Sequence, residues 1–285
     1  MNILITGAGG FVGTHLCRRL YKDYNVIGTV RTKNKQIALE KVCRIKTYVA
    51  DLSKDIEIDD KIDIVIHGAA RSPNPGIPIN NYIYDNIITT QNLIHFSKRK
   101  KVRLFIYLSA ISVFGSINST KVDEKTPIVD PEPYGLSKYF GELLLKESEN
   151  NLSSIIFRMP IIIGKVMQNG WLYSVYKKIQ NNEELIYYNP ESPYNMIHLE
   201  DLCSLIKCSI NSNLKKSNLF TVSCNNLLSV QKIIDTIKKK SNSTSKLIVK
   251  KNSQVGFIIS NKNAIETLGF KPQNAKKILS LFLGV

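Results

Sequence analysis

The first two-thirds of the chain alternates between short apolar runs of β type and longer stretches with helical periodicity. This alternation predicts a parallel sheet with helices on both faces, since parallel neighbours must be joined by crossover connections. Each crossover should be right-handed, which gives a doubly wound α/β fold. Six runs are the predicted strands: Asn2–Thr6, Val26–Val30, Thr47–Ala50, Ile64–His67, Arg103–Ser109 and Ser154–Arg158.

Helical periodicity fills the intervals between these strands, most clearly at Thr14–Lys22, Asn86–Lys98 and Tyr134–Glu149. After Gly164 the pattern loosens into segments rich in Asn, Lys and Tyr. Three later elements are still predicted: a strand at Asn218–Val222 and helices at Val230–Lys239 and Asn261–Leu268. We therefore expect a larger domain over residues 1–164 and a smaller C-terminal region over residues 165–285, with some of its elements returning to the larger domain.

The bulk composition narrows the class of protein. With 285 residues, 43% of them hydrophobic, the chain can form an ordinary globular core. No run approaches the roughly 20 apolar residues that span a bilayer, and the chain opens on a strand, so we expect a cytoplasmic protein without a membrane partner. The five cysteines lack metal-ligand spacing, which favours reduced thiols and no metal site. The net charge of +16 comes from lysines spread along the chain, which argues against a nucleic-acid surface.

A glycine-rich turn follows the first predicted strand and leads into a helix. Gly7, Gly10 and Gly13 recur every three residues in the segment Gly7-Ala8-Gly9-Gly10-Phe11-Val12-Gly13. Glycines here permit a tight turn, close approach of the backbone to a pyrophosphate, and close packing of helix on strand. The N–H groups at the helix N-terminus would face the anion. Residues 1–164 are therefore predicted to be a dinucleotide-binding domain of the Rossmann type.

The end of the second strand bears on which dinucleotide is bound. An NAD enzyme usually places a carboxylate there for the ribose hydroxyls, whereas this chain has Thr29-Val30-Arg31. Arg31, with Lys33 and Lys35 behind it, offers positive charge to a 2′-phosphate. NADP is therefore the predicted cofactor, with NAD as the alternative. A solvated basic loop is the structural alternative for these side chains.

Further motifs follow in order along the chain. They are Asp51-Leu52, His67-Gly68-Ala69-Ala70 and Tyr134-Gly135-Leu136-Ser137-Lys138. With the glycine loop they resemble the extended short-chain dehydrogenase/reductase family, which includes nucleotide-sugar epimerases, dehydratases and reductases, and the resemblance covers nearly the whole chain.

This resemblance implies roles for individual residues. Asp51 and Leu52 would flank the adenine, Ala69 and Ala70 would line the dinucleotide channel, and Pro160 and Ile161 would lie near the nicotinamide. Phe11 and Val12, in the glycine-rich loop, are also expected to bind the cofactor.

Tyr134 and Lys138 are the candidate catalytic pair. They are four residues apart at the start of a predicted helix, so both side chains project from one face. A free phenol, with a pKa of about 10, exchanges protons poorly at neutral pH, and a nearby ammonium would lower that pKa. We expect Tyr134 to be the acid/base of a hydride transfer, with Lys138 supporting it. The resemblance adds that the lysine holds the nicotinamide ribose.

Some positions depart from the family pattern. Where the family has a Ser or Thr that hydrogen-bonds the substrate carbonyl, this chain has Ala110, and Ser112 is the predicted replacement. The Asp-Glu pair of dehydratases is replaced by Ile111-Ser112, which argues against dehydration. An Asn and an Arg common in sugar-nucleotide enzymes are replaced by Ile161 and Tyr194, which weakens the case for a nucleoside-diphosphate sugar in the usual pose.

The sequence therefore predicts an NAD(P)-dependent oxidoreductase or epimerase acting on a keto-sugar or nucleotide sugar. A redox sensor that binds NADP without turnover is the alternative; Ala110 favours it, and the Tyr134/Lys138 pair opposes it. A small-molecule substrate is the expected partner, and a homodimer is a possible assembly. His67 and His198, both in apolar runs, are interpreted as structural histidines with satisfied hydrogen bonds.

Overall fold

The computed structural model describes residues 1–165, 167–250, 252 and 255–284. Its strands, in chain order, are β1 (Asn2–Thr6), β2 (Asn25–Val30), β3 (Lys46–Val49), β4 (Ile64–His67), β5 (Leu104–Ala110), β6 (Lys121–Val122), β7 (Ser154–Met159), β8 (Ile161–Ile163), β9 (Leu185–Tyr188), β10 (Met196–His198), β11 (Ser217–Thr221), β12 (Leu247–Lys250) and β13 (Ile258–Ile259). Its α-helices are α1 (Phe11–Leu20), α2 (Lys33–Val42), α3 (Ile79–Tyr82), α4 (Thr89–Arg99), α5 (Pro133–Glu147), α6 (Trp171–Gln180), α7 (Leu199–Asn211), α8 (Val230–Lys240), α9 (Lys262–Leu268) and α10 (Ala275–Leu283).

Seven strands form one parallel sheet in the order β11-β7-β5-β4-β1-β2-β3. The order reverses at β1, which lies between β2 and β4, as in a doubly wound Rossmann sheet. The predicted fold class is thus confirmed. All six strands predicted in the first part of the chain are present, with ends displaced by at most one residue.

Alternate residues of the central strands feed two separate cores. Ile3 and Ile5 of β1 pack on the face covered by α1 and α7, whereas Leu4 packs on the face covered by α4 and α5. A strand buried on both faces has a nearly continuous apolar sequence, which explains why the central strands are rich in Ile, Leu and Phe. Four of the five cysteines are buried and all five are free thiols.

Two helices differ from the predicted ones in ways that concern the site. The first begins at Phe11, three residues earlier than expected, so the glycine loop runs directly into it. The stretch predicted as Asn86–Lys98 is preceded by α3 and by a π-helical turn over Ile83–Ile88. Lys33 and Lys35 lie in α2, which Thr32 caps by accepting a hydrogen bond from Lys35 N, so these residues are not a loop.

The chain beyond residue 164 adds elements to the Rossmann sheet and its helix layer, and it also forms a separate core. Strand β11 pairs with β7 at the edge of the central sheet, and α7 packs on α1. Helices α6, α8 and α10 form a third core with β9. Within the described residues, no helix combines the length and apolar character that crossing a membrane requires.

Candidate active site

The candidate site lies where the strand order reverses, at the carboxyl ends of β1 and β4. Ligands of open α/β sheets bind in the crevice at this point. A cavity of about 350 Å³ occupies it. Its walls are built by the loops after β1, β2, β3 and β4 together with the π-turn: Gly7, Gly9, Gly10, Thr29, Val30, Arg31, Lys35, Ala50, Leu52, Gly68, Ala69, Ala70, Asp85 and Thr89.

The glycine loop brings the start of α1 against the end of β1. A Cβ at Gly13 would lie 2.1 Å from the carbonyl oxygen of Gly7, so only glycine permits this approach. Helix α1 has Gly10 as its N-cap, which offers no side chain to the N–H groups of the first turn. Phe11 and Val12 turn their side chains into hydrophobic cores, so they can serve an anion only through the backbone.

Thr29 gives an independent sign that a polar ligand belongs in the cavity. Its hydroxyl is buried and has no hydrogen-bond partner among the described residues, although Thr29 lines the cavity. A buried hydroxyl without a partner costs free energy, which a ligand's polar group would recover. With the free N–H groups of α1, the residues present therefore fit a dinucleotide.

The predicted cofactor residues divide between two cavities. Leu52, Ala69 and Ala70 line the cavity at the glycine loop, as do Gly7, Gly10 and Arg31. The carboxylate of Asp51 instead accepts hydrogen bonds from Ser53 N and Oγ, and these bonds lower its pKa. Pro160 and Ile161 line a second cavity.

Arg31 is held by a carboxylate that the sequence interpretation missed. Its Nη2 lies 2.9 Å from Asp85 Oδ1, and Asp85 also accepts hydrogen bonds from Arg71. The Arg31 guanidinium, which the sequence analysis assigned to a 2′-phosphate, is thus already paired with Asp85. Nothing in the spacing of these residues indicates the pairing, because Arg31 follows β2 and Asp85 lies beyond β4.

Tyr134 and Lys138 project from one face of α5, as expected from their spacing. The helix begins with Pro133, whose fixed φ suits the first helical turn. A Cβ at Gly135 would lie 2.0 Å from the Ser112 carbonyl oxygen, so this glycine lets the start of α5 lie directly against the turn after β5. The Lys138 ammonium is buried 4.0 Å from the centroid of the Tyr107 ring.

Burial governs the protonation of both groups. Desolvation lowers the pKa of Lys138 to about 7, opposed by the charge of Glu142. Desolvation also raises the pKa of Tyr134 to about 12, with a further contribution from Tyr82. The expected lowering of the Tyr134 pKa by the lysine stays a prediction for the ligand-bound site, since burial acts in the opposite direction on this phenol.

A buried ion pair supports the face of α5 that carries this pair. Glu142, two turns after Tyr134, accepts hydrogen bonds from Arg158 Nη2 at 2.6 Å and Nε at 3.1 Å. Ser109 Oγ also donates to Glu142, at 2.6 Å, so this hydroxyl is already engaged. Since both charges are paired and hydrogen-bonded, the pair can be accommodated in the interior, where it joins α5 to β5 and β7.

Ser112 lies in a short 3₁₀ turn, Ile111–Phe114, and is exposed. Ala110 ends β5 immediately before this turn. The catalytic role of Ser112 stays a prediction.

The second cavity, of about 370 Å³, has uncharged walls among the described residues. Tyr194 stacks near Trp171 with ring centroids 4.8 Å apart, and burial raises its pKa. The lining residues are Ile111, Pro160, Ile161, Tyr188, Asn189, Ser192, Pro193, Tyr194, Asn195, Val230, Asn252, Val255, Gly256 and Phe257.

Both candidate histidines are structural. His67 Nδ1 pairs with Thr6 Oγ1 at 2.7 Å and Nε2 with Thr90 Oγ1 at 3.0 Å, and burial holds its pKa well below the usual value. His198 caps α7 by accepting a hydrogen bond from Glu200 N. The prediction of satisfied hydrogen bonds is confirmed for these nitrogens.

The fold and the cleft define a Rossmann-type dinucleotide-binding protein. The chain belongs to the NAD dependent epimerase/dehydratase family, whose model matches residues 3–222. The family prediction made from the motifs is thus confirmed.

Similar proteins carry the names of sugar epimerases. A Methanocaldococcus jannaschii protein, provisionally named a UDP-glucose 4-epimerase, is 26% identical over 95% of this chain and 93% of its own. An Escherichia coli O157:H7 relative, N-acetyl-alpha-D-glucosaminyl-diphospho-ditrans,octacis-undecaprenol 4-epimerase, is 26% identical over 72% of this chain and 62% of its own. These relatives are named as enzymes and give no support to the redox-sensor alternative.

Solved structures share the fold. UDP-glucuronic acid 4-epimerase from Bacillus cereus, in complex with NAD, has a TM-score of 0.86 at 23% identity, covering 100% of this chain and 99% of that one. The Bordetella bronchiseptica enzyme WbmG, in complex with NAD, has a TM-score of 0.86 at 16% identity, covering 100% and 93%.

Proposed function

We propose that the chain is a nicotinamide-dependent epimerase of nucleotide sugars, acting at a sugar hydroxyl carbon by reversible hydride transfer. The single observation that carries this proposal is the Tyr134/Lys138 pair on one face of α5, with the Lys138 ammonium buried. Family membership and the relatives named as 4-epimerases support the reaction type. C4 of a UDP-sugar is the position to test first.

The chain's own residues would move the proton. A bound nicotinamide supplies a site that takes up a hydride from the sugar carbon and gives it back. Tyr134 Oη accepts the proton of the sugar hydroxyl as the C–H bond breaks, which leaves a keto sugar. For this step Tyr134 must start as the phenolate, which a protonated Lys138 would stabilise, and accepting the sugar proton converts it to the neutral phenol. Tyr134 returns the proton after the hydride has been delivered to the other face of the carbonyl carbon, so atoms and electrons balance with no net redox change.

The second cavity is the proposed position of the sugar's carrier group. It is lined by Ile111 of the turn after β5, by Pro160 and Ile161, and by residues beyond 164, which supports a substrate-binding role for the region 165–285. Tyr188, Tyr194 and Phe257 supply aromatic surface for a nucleobase.

The proposal is tested by following interconversion of UDP-glucose and UDP-galactose. Tyr134→Phe should lower turnover by about 10²–10⁴-fold, the usual worth of a general acid/base, and leave dinucleotide binding within about threefold. Tyr21→Phe, which removes the hydroxyl of an exposed tyrosine, is the matched control. Full turnover in the Tyr134 variant would overturn the assignment.

A reductase is the second candidate, because the end of β2 bears Arg31 and no carboxylate. A reductase consumes NADPH stoichiometrically and shows a continuous fall in absorbance with a keto sugar, whereas an epimerase shows none. In either case we propose Arg31 as the contact for the 2′-phosphate of NADP. Arg31→Ala should then weaken NADP binding by up to about 1.5–3 kcal/mol and spare NAD.

We also propose a homodimer formed through an exposed apolar face. Leu136, Phe140 and Leu143 lie along one side of α5, beside exposed Ile79 and Ile83. The spacing of these side chains suits antiparallel helix packing about a twofold axis. Phe140→Glu should give a monomer by light scattering; an unchanged mass in a folded variant would refute this interface.

A further inference from the structure

Asp85 is bonded to two arginines, which lie in the segments that follow β2 and β4. Arg31 Nη2 lies 2.9 Å from Oδ1, while Arg71 Nε donates to Oδ2 at 2.7 Å and Arg71 Nη2 lies 2.5 Å from it. The Asp85 side chain is only 16% exposed, against 59% for Arg31. The carboxylate is thus the largely buried partner of this ion pair, and Arg31 is the exposed one.

The Arg31–Asp85 ion pair spans the cofactor crevice. Arg31 follows β2 and Asp85 lies beyond β4, and these strands flank β1 on opposite sides. Both residues line the 350 Å³ cavity that begins at the glycine loop. The pair therefore crosses the space above the loop, where the end of β2 would meet the cofactor ribose.

The π-turn at Ile83–Ile88 fixes the position of Asp85. Its next residue, Asn86, is buried, accepts a hydrogen bond from Arg71 N at 2.6 Å and donates to Ser137 Oγ at 2.8 Å. Single π-helical turns are frequent at functional sites. Asn86 therefore holds the turn to α5 while Asp85 faces the cavity.

We propose that Asp85 is a specificity-determining residue that opposes binding of a 2′-phosphate by keeping Arg31 paired. This inference rests on the proposed binding of a dinucleotide in this cavity. A 2′-phosphate must take the Arg31 guanidinium from a carboxylate that already makes a charge-assisted bond to it. NAD, which has hydroxyls alone on that ribose, leaves the ion pair intact. Asp85 thus acts from the β4 side of the cleft in place of the carboxylate missing at the end of β2.

The test compares affinities for NAD and NADP, measured by calorimetric titration of protein freed of copurified nucleotide. Asp85→Asn should tighten NADP binding on the order of tenfold and change NAD binding by less than about threefold. Adding Arg31→Ala to this variant should abolish the gain, since Asp85 acts through Arg31. Arg31→Ala should also cost NADP more affinity in the Asp85→Asn background than in the wild type.

Two controls separate this effect from loss of structure or of net charge. Arg71→Gln removes the Asp85–Arg71 ion pair, which Asp85→Asn weakens as well. It leaves the Asp85 carboxylate paired with Arg31, so NADP affinity should not rise. Asp55→Asn removes the carboxylate of a surface pair with Arg99, away from the cavity, and should leave both affinities unchanged.

The outcomes are distinct. An equal change for NAD and NADP in Asp85→Asn, a gain that persists without Arg31, or the same gain in Arg71→Gln would overturn the role of Asp85 while dinucleotide binding stands. If neither dinucleotide binds to any folded variant, the proposed function fails as well.

Discussion

The two cavities of the cleft differ in what their walls are made of. The cavity at the glycine loop is formed largely by backbone and small residues, with charges at Arg31, Lys35 and Asp85. The second cavity is formed by apolar and aromatic side chains and by neutral amides and hydroxyls, with no charge among its described lining residues. A backbone-built wall requires particular residues at fixed spacing, whereas a wall built of side chains can change its chemistry without changing the fold. The glycine pattern is accordingly complete at the first cavity, where the departure is the carboxylate missing at the end of β2, whereas the second cavity is altered in its side chains, at Ile161 and Tyr194.

Gly13→Ala should have the largest effect on this contrast, because its methyl group would displace Gly7, which forms part of the first cavity's wall. The new Cβ would lie 2.1 Å from the carbonyl oxygen of Gly7, so the loop or the helix must move. We expect the free energy of unfolding to fall by about 2–4 kcal/mol and dinucleotide binding to weaken by about 10²-fold or more. Chemical denaturation and calorimetric titration measure the two effects.

Gly68→Ala is the matched control for this variant. A Cβ there would meet Leu108 at 3.4 Å, an ordinary van der Waals contact, in the same cavity wall. If the two alanine variants bind dinucleotide equally well, close backbone approach is not what builds the phosphate loop.

The turn after β5 borders the second cavity through Ile111 and carries the next largest prediction. With Ala110 in place of the family hydroxyl, a carbonyl polarised by Tyr134 alone lacks one donor. If Ser112 supplies it, Ser112→Ala should lower turnover by roughly 10²-fold or more, and Ala110→Ser should add little to the wild type. Normal turnover in Ser112→Ala with an active wild type would exclude Ser112, and a gain in Ala110→Ser would then show that the hydroxyl is simply missing.

Lys138 allows a prediction that depends on pH. Its pKa is lowered from 10.5 to about 7, so between these values the unfolded chain binds more protons than the folded one. The cost of burying the ammonium is therefore fully present below pH 7 and disappears as the pH rises toward 10.5. Lys138→Met should raise the unfolding temperature at pH 6, on the order of 5 °C more than at pH 10.

Lys146→Met, which removes an exposed lysine from the same helix, should show no such difference between the two pH values. An equal shift of Lys138→Met at pH 6 and pH 10 would mean that the buried lysine does not titrate in this range.

Sequence reasoning succeeded where local pattern sets the geometry. The central strands, the glycine loop and the helical face shared by Tyr134 and Lys138 all follow from spacing between near neighbours. It failed where distant segments meet. The Arg31–Asp85 pair depends on the relative position of β2 and the π-turn, and no residue pattern near Asp85 signals that turn. Burial of the Tyr134 phenol, which raises its pKa, is likewise not visible in the sequence, whereas the ammonium four residues away is.

The smallest predicted effect concerns the side-chain wall of the second cavity. Ile161 lines this cavity where many sugar-nucleotide enzymes have an Asn, so Ile161→Asn would restore an amide facing the carrier group. If the substrate is a nucleotide sugar whose polar groups reach this wall, the amide should add about one neutral hydrogen bond, roughly 0.5–1.5 kcal/mol. That contact is the same in the ground state and the transition state, so KM for a UDP-sugar should fall about two- to tenfold while kcat stays the same. Ile161→Leu keeps the wall apolar and should change neither constant. An Asn variant with a raised KM would mean that this wall faces an apolar part of the substrate, and the departure at Ile161 would then mark a different carrier group.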